Sequence, residues 1–179
     1  MGVKSTLYKL LGYLVLISKG RQAYAKYLGV QVGKNCRIIT TKWGTEPFLI
    51  DIGDNVTITD GVRFLTHDGS AWLARDNRGR RYLYARVSIG NNVFIGVNSI
   101  IMPGVKIEDN VVIAAGSVVT KSIKKGSVVA GVPAKLIGEF NELHQRMLKD
   151  YTTEKEMSSA GSYEKRVLGV VKNEYKPFL

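Results

Sequence analysis

The sequence predicts an all-β fold, a parallel β-helix, and three observations support that prediction. The stretch from Ile89 to Lys124 divides into hexads, IGNNVF IGVNSI IMPGVK IEDNVV IAAGSV VTKSIK. Each hexad opens on a branched aliphatic residue: Ile89, Ile95, Ile101, Ile107, Ile113 and Val119. The fifth position is also mostly small or branched: Val93, Ser99, Val105, Val111, Ser117 and Ile123. A helix and a lone strand have shorter periods, whereas a coil of short strands and tight turns repeats every six residues.

The hexads predict which side chains point inward and where the chain turns. We expect the openers to fill the interior and the fifth residues to pack beside them, so that three hexads close one triangular coil. Glycine and asparagine permit the unusual backbone angles of tight turns. They occupy the expected turns: Gly90, Asn91, Asn92, Gly96, Asn98, Gly104, Asn110 and Gly116.

The six-residue repeat begins before Ile89 and is interrupted twice. VQVGKNCRI starts the first hexads, ITTKWGTEPFLI interrupts them, and the openers Ile52, Ile58 and Phe64 restore them, with Val56 and Val62 at fifth positions. Asp68 then takes a position meant for a small interior residue, and Ile89 lies off the grid. The chain is therefore predicted to leave the coil in a loop over residues 69–87. A loop that interrupts a regular scaffold is a common place for function.

The pattern resembles the hexapeptide-repeat acyltransferases over residues 32–135. The ending AAGSVVTKSIKKGSVVAGVPAK is similar to the branch that includes galactoside, maltose and capsular-polysaccharide O-acetyltransferases. This resemblance implies a left-handed β-helix, an exception to the usual crossover rule. It also implies an acetyl-CoA-dependent O-acetyltransferase that modifies a hydroxyl of a sugar or polysaccharide, such as a cell-surface or capsular glycan.

His67 is the candidate general base. The chain has two histidines, and His67 lies at a hexad turn beside the loop, whereas His144 falls on the polar side of a predicted helix. Histidine suits proton abstraction near neutral pH. In the family a histidine on or next to such a loop has this role, and THDGS resembles the capsule-type version. A backbone carbonyl, Asp68 or Asp60 could hold the other ring nitrogen, although Asp68 could equally serve only to shape the turn. Backbone N–H groups near Gly96 could bind the oxyanion.

The resemblance also implies the residues that bind the acetyl donor. Ala115 matches a pantetheine contact, Thr120 and Lys121 match residues near the nucleotide, and Lys135 matches a phosphate contact. Gly96 belongs to the same set, and Phe94 stands where the family often has tryptophan. Val97 replaces a polar residue found in some sugar acetyltransferases. No metal site is predicted.

The charge distribution points to an anionic acceptor. The net charge is +11, residues 1–37 contain no acidic residue, and the loop carries Arg75, Arg78, Arg80, Arg81 and Arg86. Positive fields favour anionic partners, although no nucleic-acid motif accompanies them. The predicted acceptor contacts in and beside the loop are Asp68, Trp72, Arg75 and Arg78.

One domain, 1–179, is predicted on length. It comprises an N-terminal helix (1–30), the β-helix (31–137) and a helical tail (138–179). The N-terminal helix, expected over residues 3–28, is too short in its apolar run to span a bilayer. It either packs on the first coil or rests on a membrane surface. A single cysteine, Cys36, cannot form an internal disulfide and fits a cytoplasmic location.

The predicted assembly is a homotrimer with active sites between subunits, since a triangular prism closes naturally with three-fold symmetry. Two other functions stay open on the sequence: an N-acetyltransferase of an amino-sugar nucleotide and a catalytically inactive trimeric scaffold. A γ-class carbonic anhydrase shares the fold but needs three histidine ligands, more than this chain has.

Overall fold

The structure is a computed structural model that describes residues 3–157 and 161–177. Its contacts divide the chain into two compact units, Met1–Asn141 and Glu142–Leu179. The larger unit contains the coil and is described first. The single domain expected from the sequence stays a prediction.

Short parallel strands form the three faces of a triangular coil within the described residues. Face 1 contains β1 (Gln31–Val32), β3 (Ile50–Ile52), β8 (Val87–Ile89) and β11 (Lys106–Ile107). Face 2 contains β2 (Arg37–Ile38), β4 (Thr57–Ile58), β9 (Val93–Ile95), β12 (Val111–Ile113) and β14 (Ser127–Ala130). Face 3 contains β5 (Arg63–Phe64), β10 (Ile100–Ile101) and β13 (Val118–Val119).

The strand register confirms that three hexads make one coil. Ile89 pairs with Ile107, and Ile101 pairs with Val119, so equivalent residues lie one coil apart. Across the excursion, Ile52 still pairs with Ile89. The chain thus leaves the coil and returns to the same register.

The predicted interior is confirmed at both hexad positions. All six openers from Ile89 to Val119 are buried, as are Ile52, Ile58 and Phe64 before them. At the fifth position Ser99 and Ser117 are fully buried without an orphan hydroxyl. Ser99 donates to the Gly96 carbonyl at 2.8 Å and Ser117 to the Ala114 carbonyl at 2.7 Å. Serine therefore fits the interior because the turn supplies an acceptor.

The turns use glycine and asparagine for two different physical reasons. Asn92, Asn98 and Asn110 have positive φ angles of 54°, 58° and 55°, as expected for a left-handed turn position. Gly96 is required by space instead, since an added Cβ would lie 2.4 Å from the Ala115 nitrogen of the next coil. Gly90, Asn91 and Gly96 have no positive φ, so the expectation of an unusual angle is wrong at these three positions.

Both interruptions of the phase are structured segments. The first, between β2 and β3, contains a 3₁₀ helix, Pro47–Leu49. The second, between β5 and β8, contains a 3₁₀ helix, Gly69–Leu73, and an antiparallel hairpin of β6 (Arg75–Asp76) and β7 (Gly79–Arg80). We call residues 68–86 the excursion. The sequence predicted a loop here, and the structure adds this secondary structure.

The N-terminal helix α1 (Val3–Leu28) is a hairpin of two helical arms rather than one rod. Gly20 has φ 81° and ψ 179°, which breaks the helix. The arms meet where the Tyr8 and Tyr27 rings stack with centroids 4.8 Å apart, each hydroxyl bonding the other's backbone carbonyl. The second arm packs on the first coil, where Ala25 is fully buried.

The coil ends with a strand that reverses direction. After the Val132–Pro133 peptide, β15 (Lys135–Glu139) pairs antiparallel with β14. The helical tail therefore begins after this strand, not at residue 138.

The helix α2 (Phe140–Asp150) crosses the boundary between the two units. The second unit also contains α3 (Glu154–Met157) and α4 (Tyr163–Leu168). Residues 158–160 of the predicted helical tail lie outside the described residues. Among residues 3–157 and 161–177, no helix is both long and apolar enough to cross a bilayer.

Candidate active site

His67 lies at the base of the excursion, where the chain leaves face 3. It forms an antiparallel bridge with Tyr84, flanked by hydrogen bonds from the Asp68 amide to the Leu83 carbonyl and from the Ala85 amide to the Thr66 carbonyl. This short ladder closes the excursion and fixes the backbone of His67. Its side chain remains 43% exposed. The histidine is thus held rigidly and is accessible.

Glu46 orients the imidazole. The Nδ1 atom of His67 lies 2.9 Å from Oε2 of Glu46 and 3.3 Å from the Thr45 hydroxyl. Thr66 donates its hydroxyl to the same Glu46 oxygen at 2.6 Å. An ionised carboxylate only accepts hydrogen bonds, so Nδ1 of a neutral His67 carries the proton. The lone pair of Nε2 is then available to accept a proton from a substrate.

The surroundings of Glu46 keep it ionised although its side chain is only 17% exposed. Burial alone would raise its pKa, but hydrogen bonds from Thr66, His67 and Thr45, together with the charge of a protonated His67, lower the pKa below its ordinary value. A permanently anionic partner fixes the tautomer of His67 and stabilises the imidazolium formed during proton transfer.

The partner of His67 was not predicted correctly from the sequence. Asp68 has its alternative expected role, shaping the turn: it caps the 3₁₀ helix Gly69–Leu73, and its carboxylate accepts the amide and hydroxyl of Ser70 at 2.9 and 2.7 Å. These hydrogen bonds lower the pKa of Asp68. Asp60 is not the partner either. The available signal for Glu46 was its place in ITTKWGTEPFLI, the segment that breaks the hexad phase.

A pocket of about 350 Å³ opens beside His67 along the outer surface of face 3. It brings Thr120, predicted to contact the acetyl donor, to the predicted base. Its lining consists of Leu65, His67, Asp68, Gly69, Leu83, Met102, Pro103 and Thr120. Because Leu65, Met102 and Thr120 follow β5, β10 and β13, the pocket runs across the face from the excursion toward the end of the coil.

The other predicted donor contacts do not line this pocket. Lys121 lines a second pocket of about 240 Å³, shared with Lys124, Ala134 and Leu136. Lys135 begins β15 next to these residues. Together they place two predicted phosphate contacts near the end of the coil.

Phe94, Gly96 and Ala115 lie on or beside face 2. Phe94 points outward from β9 and is 40% exposed, while Gly96 packs under the turn that contains Ala115. The Gly96 amide donates to the Ile113 carbonyl at 2.8 Å. That amide is already used by the coil, and the prediction that other backbone N–H groups near Gly96 bind the oxyanion stays a prediction.

Aromatic and arginine side chains form a continuous ladder from His67 into the excursion. The Tyr84 ring lies 6.0 Å from that of His67 and stacks on Tyr82 at 6.2 Å. Arg80 lies 4.5 Å from the Tyr82 ring and 4.3 Å from the Trp72 ring. Arg75 extends the ladder, also at 4.3 Å from Trp72. Sequence reasoning included Trp72 and Arg75 but missed the two tyrosines.

The remaining arginines of the excursion each pair with a carboxylate. Arg81 and Arg78 both pair with Asp76, Arg78 at 3.4 Å. Arg86 pairs with Asp51 at 3.2 Å. The positive charge that the sequence places in the excursion is therefore partly neutralised, and Arg75 and Arg80 rest on aromatic faces.

Comparisons with known proteins agree with this geometry. A family profile described as "Hexapeptide repeat of succinyl-transferase" matches residues 86–121. Protein CapG of Staphylococcus aureus is 49% identical over 130 residues, which cover 70% of this chain and 76% of CapG. The chain belongs to the hexapeptide-repeat acyltransferase family.

Two further similarities define the branch. Galactoside O-acetyltransferase of Escherichia coli K12 is 36% identical over 126 residues, which cover 70% of this chain and 62% of that enzyme. A solved galactoside acetyltransferase in complex with coenzyme A superposes with a TM-score of 0.55 and 26% identity, over 86% of this chain and 90% of that one. The predictions of the family, the branch and an acetyl-CoA-dependent acyltransferase are confirmed.

An acyltransferase of this family needs a base and a place for the thioester within reach of each other. His67 and Glu46 supply an oriented base, and the pocket on face 3 leads from that base to Thr120. All these groups lie outside the buried coil, on segments that interrupt it or on its outer surface.

Proposed function

We propose that this acyltransferase transfers acetyl from acetyl-CoA directly to a hydroxyl of a sugar or polysaccharide, with His67 as the general base. The observation that carries the proposal is the pairing of His67 with Glu46 at the mouth of the pocket that contains Thr120. Glu46 is a positioning residue, since it acts through His67.

The reaction requires no covalent enzyme intermediate. The acceptor oxygen attacks the thioester carbonyl carbon while Nε2 of His67 takes the hydroxyl proton. The tetrahedral intermediate then collapses, the C–S bond breaks, and the imidazolium returns the proton to the leaving thiolate. The products are the sugar acetate and CoA. The Glu46 carboxylate stabilises the transient positive charge on His67 through the Nδ1 hydrogen bond.

We assign binding of the donor to Thr120, Lys121, Lys135, Ala115 and Phe94, with Gly96 shaping the turn beneath Ala115. Thr120 lies at the His67 end, and Lys121 and Lys135 provide positive charge for phosphates near the end of the coil. Lysine side chains bind phosphate groups through their positive charge. Acetyl-CoA is an elongated molecule, and the surface proposed to bind it extends from the His67 pocket to the second pocket at Lys121.

The working unit is a left-handed coil assembled as a homotrimer, with each site between neighbours. Phe94 and Ala115 lie away from the His67 pocket of their own chain, and a neighbouring prism packed against the coil would bring a second wall. If His67→Ala chains, which lack the base, are refolded together with Lys121→Gln/Lys135→Gln chains, which bind acetyl-CoA more weakly, some sites of the mixed trimers should regain the wild-type KM for acetyl-CoA. Sedimentation of an active monomer would contradict the trimer.

The acceptor is an anionic glycan that contacts the excursion. Trp72 and Arg75 belong to the ladder that starts at His67, Asp68 lines the His67 pocket, and Arg78 is exposed at the hairpin. Sugar rings pack on exposed aromatic faces, and carboxylate or phosphate groups pair with arginine. A cell-surface or capsular glycan has both features.

The test measures acetyl-CoA turnover and acetylated product over a panel of neutral, sialylated and uronic-acid glycans. We expect His67→Ala to fold normally and to lose about 10²- to 10⁴-fold in kcat/KM for every acceptor, as for a removed general base. The matched control is His144→Ala, which should keep full activity. Full activity of His67→Ala would overturn the assignment.

We further propose that the enzyme works in the cytoplasm, in peripheral contact with a membrane through the first arm of α1. That arm has an apolar stripe, each side chain of which is 45–66% exposed: Leu7, Leu10, Leu11, Leu14 and Ile17. Lys9 and Lys19 flank it, and residues 1–37 contain no acid. An amphipathic basic helix of this kind binds anionic lipid surfaces.

Vesicle sedimentation checks the membrane contact. Wild type should sediment with phosphatidylglycerol vesicles more than with phosphatidylcholine vesicles, and Leu10→Glu/Leu14→Glu should remain in solution. Leu168→Glu replaces a similarly exposed leucine of the second unit and should bind like wild type. If none of the three proteins sediments with the vesicles, the membrane contact is rejected.

A further inference from the structure

A second depression lies beside the active-site pocket and has a basic lining. It measures about 370 Å³ and is formed by Lys42, Gly44, Arg63, Phe64 and Leu65. Leu65 also lines the His67 pocket, so the two cavities are neighbours separated by one side chain. The His67 chemistry uses neither Lys42 nor Arg63.

The segment that orients His67 also positions Lys42. Thr40 is fully buried, donates its hydroxyl to the Val62 carbonyl at 2.8 Å and accepts the Lys42 amide at 3.1 Å. Gly44 has φ 71°, and a Cβ there would lie 2.8 Å from the Phe64 carbonyl oxygen. Glycine is needed for both reasons. Residues 40–44 are therefore fixed against β5 before the chain reaches Thr45 and Glu46.

The position of this segment separates it from the proposed donor side. β5 pairs with β10, which pairs with β13 and so leads to Thr120. Residues 40–44 lie along the edge of β5 that faces away from β10. Thr40 contacts Val62, the residue before β5, and Gly44 contacts Phe64 within it. His67 follows β5. It therefore stands between a donor side toward the end of the coil and a basic side toward its beginning.

The charge of this depression is not compensated locally. Within residues 3–157 and 161–177, neither Lys42 nor Arg63 forms an ion pair, and no acid lines the cavity. The nearby acid in sequence, Glu46, is occupied by Thr66 and His67. Two cations beside a pocket, without an acid to pair them, attract an anionic group.

We propose that Lys42 and Arg63 form an acceptor subsite that binds a carboxylate or phosphate of the sugar next to the hydroxyl being acetylated. This inference rests on the proposed function and adds the residues that select the acceptor. The anion binds over Gly44 and Leu65, and the hydroxyl then reaches Nε2 of His67 in the adjoining pocket. The excursion ladder contacts the glycan elsewhere, on the Tyr84 side of His67.

The test compares three acceptors, glucose, glucuronate and glucose 1-phosphate, with wild type and Lys42→Gln/Arg63→Gln. Exposed charge contacts contribute about 1 kcal/mol or less each, so loss of both should lower kcat/KM for one or both anionic acceptors about 3- to 30-fold. The value for glucose should change less than about twofold, and the KM for acetyl-CoA should stay constant, since ground-state donor binding is untouched. The glucuronate and phosphate arms identify which anion the subsite takes.

Matched variants separate a specific subsite from general charge. Lys34→Gln/Arg37→Gln removes the same charge from the first coil outside this cavity and should leave the preference for anionic acceptors intact. Lys42→Arg/Arg63→Lys keeps the charge and should recover part of the lost activity. Equal losses on glucose and on both anionic acceptors would overturn the subsite, and so would a raised KM for acetyl-CoA, which would make these residues donor contacts.

Direct binding keeps the two proposals distinguishable. Calorimetric titration of glucuronate and of glucose 1-phosphate should show binding to wild type and to the Lys34→Gln/Arg37→Gln control, and none to Lys42→Gln/Arg63→Gln. If wild type binds these probes through Lys42 and Arg63 but acetylates no glycan, the subsite stands and the proposed function fails. If wild type acetylates anionic acceptors but the variant binds them equally well, the subsite fails alone.

Discussion

The regular coil and the two segments that interrupt it differ in what their side chains can do. In the coil, residues such as Ile95 and Ile113 are completely buried, and turn amides such as that of Gly96 bond the next coil. The interrupting segments, residues 39–49 and the excursion, carry Glu46, which contacts His67, the Tyr84 ring beside it, and Lys42 of the neighbouring depression. The coil provides a rigid scaffold, and the interrupting segments provide the polar and aromatic side chains of the candidate site.

The difference follows from hydrogen-bonding capacity. A coil that buries its openers and pairs its backbone strand by strand has few polar groups left for a substrate. Segments outside the repeat have polar side chains that the coil does not use, and these form specific hydrogen bonds with one another. Glu46, for example, accepts hydrogen bonds from Thr66 and His67. A repeat protein of this kind therefore gains chemistry where its repeat fails.

A core substitution in the coil should have the largest effect on stability. Ile101→Ala removes a fully buried side chain from face 3 and should lower the free energy of unfolding by about 2–5 kcal/mol, because the stacked coils cannot close the cavity. Ile100→Ala, the adjacent half-buried residue, should cost much less. Urea denaturation measures both. Equal losses would show that the interior does not carry the stability of the coil.

A substitution in the first interrupting segment should affect catalysis more than stability. Glu46→Gln loses the anionic partner of Nδ1, and kcat/KM should fall about 10- to 100-fold, the range of a lost charge-assisted hydrogen bond. Asp60→Asn, the alternative partner expected from the sequence, should remain within about twofold of wild type. Steady-state kinetics on one acceptor compares them. A larger loss in Asp60→Asn would restore the original assignment.

The same variant gives a pH dependence of stability whose sign follows from Glu46. Its folded pKa is lower than the ordinary value of 4.5, so the unfolded chain binds this proton at higher pH than the folded one. The stabilisation is complete above 4.5 and is lost as the pH falls through the folded pKa. The difference in unfolding free energy between wild type and Glu46→Gln should shrink over that interval. A difference independent of pH would contradict the role of the carboxylate.

How far the sequence predicts each region differs in the same way. The openers from Ile89 to Val119 were predicted because every hexad repeats the same physical demand, a branched side chain facing the interior. His67 was predicted as the base because it is a histidine at a broken turn. Glu46 was missed because its contact with His67 spans 21 residues between two segments that have no period.

Other misses have the same cause. The stacking of Tyr82 and Tyr84, the break of α1 at Gly20 and the basic depression at Lys42 each depend on contacts between segments rather than on a repeating pattern. Periodicity therefore predicts the scaffold, whereas the chemistry of the interruptions depends on how they pack in three dimensions.

The smallest expected effect on kinetics comes from the end of the coil proposed to bind acetyl-CoA. Its surface belongs partly to the regular coil and partly to the strand that reverses direction after it. Lys121 lies on a regular turn near the end of the coil and Lys135 on the reversing strand β15, and both are exposed. Replacing both with glutamine should raise the KM for acetyl-CoA several-fold, roughly 1 kcal/mol or less per exposed contact, with little change in kcat. Phosphate contacts far from the thioester bind ground and transition states alike. The control Lys34→Gln, at the first coil, should not change the KM, and raising the salt concentration should reduce the difference between variant and wild type. A drop in kcat at constant KM would instead place these lysines near the reacting carbonyl, and the donor would then lie in the opposite direction along face 3.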